Sequence, residues 1–184
     1  MSYGEEQKRV EQRLRVASMA QRTLFAASVA DRWFRAEQAP DGLEWADLLD
    51  AVWMAAAGDQ TAHRRISDEI GRYHLSEHSH NEGQNGTQDF TEQGNVAVLF
   101  AALHYLYESA DFAVQVSDTG VQAADWAAQD EEQDPEEAAA AEVARQHRHL
   151  DILDEWAPVV RYAETGLDVR TINRVEDELL PLLR

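Results

Sequence analysis

Apolar residues recur along most of this chain at spacings of three and four, the period of a helix that buries one face. Val10, Leu14 and Ala17 begin the pattern, and Phe25, Val29 and Trp33 continue it through residues 19 to 37, which predicts one long helix or two abutting ones. The stretch AEQAPDG interrupts it. Asp41 with Glu44 three residues later has capping-box spacing, and Trp45, Leu48, Leu49, Val52, Trp53 and Ala56 then form the clearest amphipathic stripe, ended by Gly58. Ile66 and Ile70 mark a shorter helix between Thr61 and His74.

The second half opens on a polar segment, SEHSHNEGQNGTQ, with no apolar residue to anchor it, so a mobile loop is expected over residues 76 to 89. Asn85-Gly86 is a turn signal, but no alternating strands flank it and a hairpin is not supported. From Thr91 to Ser109 the pattern is apolar nearly all round, as in the buried centre of a bundle. The next helix carries Ala113, Val116, Gly120, Ala124 and Ala127, a stripe of small side chains suited to close helix approach. A further helix from Asp134 to Ala157 turns Val143, Leu150, Leu153 and Trp156 inward, and Pro158 is expected to stop or kink it. Gly166 suits a C-cap and Asp168 an N-cap, before a last amphipathic helix with Ile172, Val175, Leu179 and Leu182 on its stripe. The prediction is an all-α, single-domain bundle of about seven or eight helices spanning residues 1 to 184.

Composition agrees. A chain of 184 residues, 44% hydrophobic and with nine Gly and four Pro, can bury a real core and leans towards helix. The formal net charge of −19 opposes attraction to nucleic acid and to anionic membranes. Charge is unevenly placed, because residues 1 to 35 carry seven bases against four acids, interleaved with apolar positions as on a solvated helix face. There is no Cys, so disulfides and thiolate metal sites are excluded. No apolar run approaches a membrane span and the N-terminal residues do not resemble a secretory signal, so a cytoplasmic location is expected.

Candidate chemistry is sparse. His74, His78 and His80 crowd together with Glu77, and a metal-dependent enzyme or sensor can be imagined there, but the HExxH order is missing and solvated loop histidines are the simpler reading. No nucleophile elbow or phosphate-binding Gly-rich loop is present, and no cofactor is implied. Arg145, His147, Arg148 and His149 are expected on a solvent face, with Arg148 reaching Asp151. The strongest feature is acidic: Asp125, Asp130, Glu131, Glu132, Asp134, Glu136, Glu137 and Glu142 follow one another with no Lys or Arg up to Glu142. Part of the run has a local reason, because Asp134 suits an N-cap, Pro135 the first helical position, and Glu136 and Glu137 the positive end of the helix dipole. Asp125, Asp130, Glu131 and Glu132 have none.

Several short motifs resemble the YjaG-like family of small helical bacterial proteins, a domain family of unknown function. They are Phe25-Ala26-Ala27 followed by Arg32, Leu48-Leu49-Asp50-Ala51-Val52-Trp53, Ala101-Ala102-Leu103, and Ala113-Val114-Gln115-Val116-Ser117, within residues 17 to 157. The polar segment 76 to 89 and the alanine-rich helix after Pro135 depart from that pattern. The resemblance implies a helical bundle and transfers no catalytic residue. The functional expectation is a non-catalytic protein that binds another protein with a basic surface through residues 125 to 137, of the kind an immunity or antitoxin-like inhibitor would be. Self-association through the apolar helix at 91 to 109 is the structural alternative.

Overall fold

The computed structural model describes residues 3–37, 43–75, 90–160 and 169–184. Among these the elements are all helical: α1 (Tyr3–Val16), α2 (Met19–Glu37), α3 (Leu43–Ala56), α4 (Ala62–Leu75), α5 (Phe90–Tyr107), α6 (Ala110–Asp130) and α7 (Pro135–Val160). A C-terminal run follows, made of α8 (Val169–Arg174), a π-helical turn (Val175–Leu179) and α9 (Leu180–Leu183). The expected all-α bundle is therefore what forms. No helix among the described residues is long and apolar enough to cross a membrane.

The boundaries have local causes. Ser18 and Gln21 form a reciprocal capping box, with the Gln21 side chain accepting from the Ser18 N–H at 3.0 Å and the Ser18 hydroxyl oxygen accepting from the Gln21 N–H at 3.3 Å. That box separates α1 from α2 where periodicity alone left one or two helices open. Gly58, at φ 88°, ends α3 through the paired bonds Asp59 N–H to Met54 O and Gly58 N–H to Ala55 O, both 2.9 Å. The Asp41 and Glu44 capping box and the Gly166 and Asp168 caps lie outside what is described, as does the polar loop at 76 to 89.

α2 and α5 are the central helices. α5 packs on α2, α3, α4 and α6, α2 also meets α6 and α7, and α1 lies across α6 and α7. Leu24, Phe25, Val29, Val52, Ile66 and Leu153 are fully enclosed where these elements meet. The motifs carrying the family resemblance are mostly packing positions: Phe25 to Ala27, Leu48, Leu49, Ala51 to Trp53, Ala101, Ala102, Ala113, Val114, Val116 and Ser117 are all buried.

Two expectations are corrected near the C-terminus. α7 runs through Pro158 as far as Val160, the last residue described there, so the proline does not stop the helix at its own position. In the final run Val175, Leu179, Leu180 and Leu183 are buried, whereas Leu182 is 54% exposed. The π-helical turn adds a residue to one turn, so the inward stripe advances by one position relative to a regular helix.

The small stripe of α6 does what its composition implies. A Cβ on Gly120 would stand 2.7 Å from Val29 Cγ1, 3.2 Å from Gln146 Nε2 and 3.3 Å from Glu142 Oε1. Only glycine allows α2 and α7 to close on α6 at this level. We expect Gly120→Ala to destabilise by roughly 1–3 kcal/mol of overpacking, less a helix-propensity gain of about 1 kcal/mol. Gly71→Ala, where a Cβ meets nothing within 4 Å, should stabilise by about the propensity gain alone. Chemical denaturation of both variants reads the contrast, and equal shifts would refute the close approach.

Candidate functional site

The acidic residues singled out in the sequence gather at the corner between α6 and α7. Asp125 is half-buried on α6 and accepts a hydrogen bond from Gln129 at 3.0 Å. Asp130 is the last residue of α6, Glu131 its C-cap, and both are exposed. Glu132 follows at φ 57°, in the left-handed region, and the corner is closed by Gln133 N–H to Ala128 O at 2.8 Å and Glu132 N–H to Gln129 O at 3.3 Å. This closing pattern usually takes glycine at the position Glu132 occupies. Asp134 then caps α7, accepting from the Glu136 N–H at 2.9 Å and the Glu137 N–H at 3.4 Å, with Pro135 at the first helical position. Glu136 and Glu137 are exposed in the first turn.

None of these seven carboxylates pairs with a basic residue among the described residues. Most N-terminal arginines are committed elsewhere. Arg13 of α1 bridges Asp151 at 2.8 Å and Asp154 at 2.7 Å on α7, Arg15 pairs with Asp111 of α6, and Arg35 with Asp31 at 2.7 Å. Asp151 is thus the partner of Arg13 and not of Arg148, because α1 lies against that face of α7.

Beside the acidic corner a cleft of about 230 Å³ opens between α2, α6 and α7, walled by Trp33, Glu131, Gln133, Glu142 and Arg145, with alanines between them. The alanines of α6 and of the start of α7 leave this room. Glu142, the eighth acid of the run, is turned inward and only 4% exposed, so it belongs to the core and not to the acidic surface.

Behind the cleft lies a buried polar seam that periodicity did not reveal. Arg32 of α2 donates to Glu142 Oε1, which also accepts from Gln146 Nε2 at 2.9 Å. Gln146 in turn accepts from the Ser117 hydroxyl and donates to the Ser117 carbonyl at 3.1 Å, tying α6 to α7. Burial draws the Arg32 guanidinium below its ordinary pKa while the Glu142 charge opposes that shift, and its Nε–H is buried without a hydrogen-bond partner.

His149, expected on a solvent face, is buried at the end of the seam. Ser28 Oγ lies 3.0 Å from its Nδ1, and because that hydroxyl already donates to Phe25 O at 2.8 Å, His149 carries its proton on Nδ1 and donates. Burial, with Arg32, Arg145 and Arg148 nearby, pushes its pKa down to about 4. His147 is half-buried, its Nε2 donating to Glu6 O at 3.1 Å. The sequence signal for the seam was available: Glu142, Gln146 and His149 lie at i, i+4 and i+7, in the gaps of the inward stripe Ala139, Val143, Leu150 and Leu153.

The side chains of the histidine cluster lie outside the described residues. His74 is in the last turn of α4, its side chain outside the description, and His78 and His80 lie beyond the described residues. No group of three or more metal-capable His, Asp or Glu residues occurs among the described residues. Compared with protein-family models, with curated proteins and with solved structures, the chain matches none.

The seam gives two measurable consequences. Arg32→Met leaves Glu142 buried and unpaired and should cost about 3–5 kcal/mol, whereas Arg32→Met with Glu142→Leu should recover most of that loss in denaturant titrations. For His149 the folded pKa lies below the unfolded value near 6.5, so the unfolded chain takes up the proton first. Its contribution is complete above pH about 6.5 and is lost as pH falls towards about 4, on the order of 3 kcal/mol. His149→Gln should flatten the pH dependence of stability in that window, and an unchanged slope would contradict a buried neutral imidazole.

Proposed function

We propose that the protein acts without catalysis, by binding another protein whose surface is basic, and that the corner between α6 and α7 is its contact. The observation carrying this reading is the set of carboxylates Asp125, Asp130, Glu131, Glu132, Asp134, Glu136 and Glu137. They sit around one corner without a basic partner among the described residues, while bases of α1 and α2 pair with acids elsewhere. Carboxylates concentrated this way repel one another in the free protein and are relieved by a cationic surface, which speeds association and selects partners by charge. The cleft beside Trp33 gives the corner relief into which a partner side chain can fit. An inhibitor of the immunity or antitoxin type, covering a basic surface of its target, is the form of this function we favour.

Glu132 supplies a test that separates binding from folding. A left-handed glutamate costs about 1 kcal/mol more than glycine at the same place. Glu132→Gly should therefore leave stability unchanged or raise it by up to about 1 kcal/mol. Association with a basic partner should nevertheless slow, and slow further with Asp130→Asn and Glu131→Gln. Pull-down at low and high salt followed by association kinetics checks this. Salt-independent capture, or capture indifferent to the three substitutions, would remove the proposal.

A further inference from the structure

A second cleft, of about 440 Å³, lies on another part of the bundle, between the start of α2, the turn joining α3 to α4, and the end of α5. Its walls include Thr23, Gln60, His63, Tyr105 and Glu108, with Met19 and Leu106 as apolar surface. Three features define what it can hold. First, among the described residues no Lys or Arg lines it, whereas the exposed Glu108 does, at φ 54° just beyond the last residue of α5.

Second, Thr23 on the α2 wall is nearly enclosed, and its hydroxyl is left with acceptor capacity only. Thr23 Oγ1 already donates to Met19 O at 2.9 Å, leaving its lone pairs. Third, one wall is aromatic: Tyr105 is half-buried, with the His63 ring centroid 6.2 Å from its own. Burial and the nearby Asp59 and Glu108 carboxylates raise the Tyr105 pKa, in keeping with a negative field around the ring. Asp59 is held in the adjoining turn by its Oδ1, which accepts from the Thr61 N–H at 2.8 Å and the Thr61 hydroxyl at 2.7 Å.

A carboxylate, an acceptor-only hydroxyl, an aromatic wall and apolar surface, without a fixed cation, complement a ligand that carries positive charge and hydrogen-bond donors at one end and an apolar body at the other. We propose that this cleft is a binding site for a small organic ammonium ion. An anion of the same size meets Glu108 with no counter-charge, and a neutral analogue leaves that carboxylate unanswered. The site shares no residue with the acidic corner, so it stands or falls independently of the partner-binding reading.

The test uses three probes with one phenyl skeleton: 2-phenylethylammonium, 2-phenylethanol and 3-phenylpropionate, titrated into the full chain by calorimetry and by NMR. The ammonium ion should saturate one site and bind at least about tenfold more tightly than the alcohol, with the carboxylate not binding. Glu108→Gln should weaken the ammonium ion by about tenfold, and Tyr105→Phe should retain binding because it keeps the ring. The pair Glu136→Gln and Glu137→Gln removes as much negative charge or more at the distant corner and should leave this affinity unchanged. Equal binding of alcohol and ammonium ion, equal loss in the corner variant, or no saturation by the ammonium ion would overturn the proposal.

Discussion

The buried pairing of Arg32 with Glu142 is the interaction from which the arrangement of α2, α6 and α7 follows. A charge enclosed this fully must meet its partner, because either one left alone in the interior costs several kcal/mol. The pair therefore sets the rotation and height of α7 against α2, and Gln146, bonded to Glu142 and to both polar groups of Ser117, extends the same register to α6. The three helices reach this geometry only because Gly120 has no side chain where Val29, Glu142 and Gln146 converge. With an orphaned Arg32 Nε–H the seam is not an optimal source of stability. Its clearer effect is to select one registry over neighbouring ones that hydrophobic packing alone would tolerate.

That registry decides where the charge goes. The excess of bases near the N-terminus reads in isolation as a basic start to an acidic protein, but Arg13, Arg15, Arg32 and Arg35 are all spent on carboxylates within the fold. Arg13 and Arg15 fasten α1 across α7 and α6, and Arg32 pins α7 to α2. What remains is a local surplus at the turn from α6 to α7, where each carboxylate has a backbone role, a neighbouring amide, or nothing to hold. The acidic corner is thus a local concentration of charge that no ion pair among the described residues offsets.

The helices were legible because burial of one face imposes a period, and every described helix carries that period or, like α5, is enclosed by neighbours on several sides. Finer features failed where a local geometry overrides the period. Leu182 lost its inward place to Leu183 because the π-helical turn shifts the stripe, and α7 carries Pro158 within it. The acidic corner was visible as composition, and the N-cap role of Asp134 as a motif. The seam went unread although Glu142, Gln146 and His149 share the inward face of α7, since their side chains usually sit in solvent and the partners that make burial tolerable, Arg32 and Ser28 among them, lie far away in sequence. His149 was misplaced for that reason.

Both clefts open near a glutamate held in the left-handed region at a helix end, Glu108 directly beyond α5 and Glu132 one residue past the C-cap of α6, between the lining residues Glu131 and Gln133. The coincidence has a geometric basis. A left-handed residue after a helix lets the chain turn back on its last carbonyls and leave the helix direction, so the next helix starts at an angle to the first. Glycine makes such a turn with least strain, so a carboxylate in its place adds charge to the rim of a recess at a cost in stability. At Glu132 the added charge joins the acidic residues of the corner, whereas at Glu108 it shares a cleft with the rings of Tyr105 and His63. The same backbone conformation thus stands beside two recesses of different chemical character, because what differs is the neighbouring side chains and not the turn.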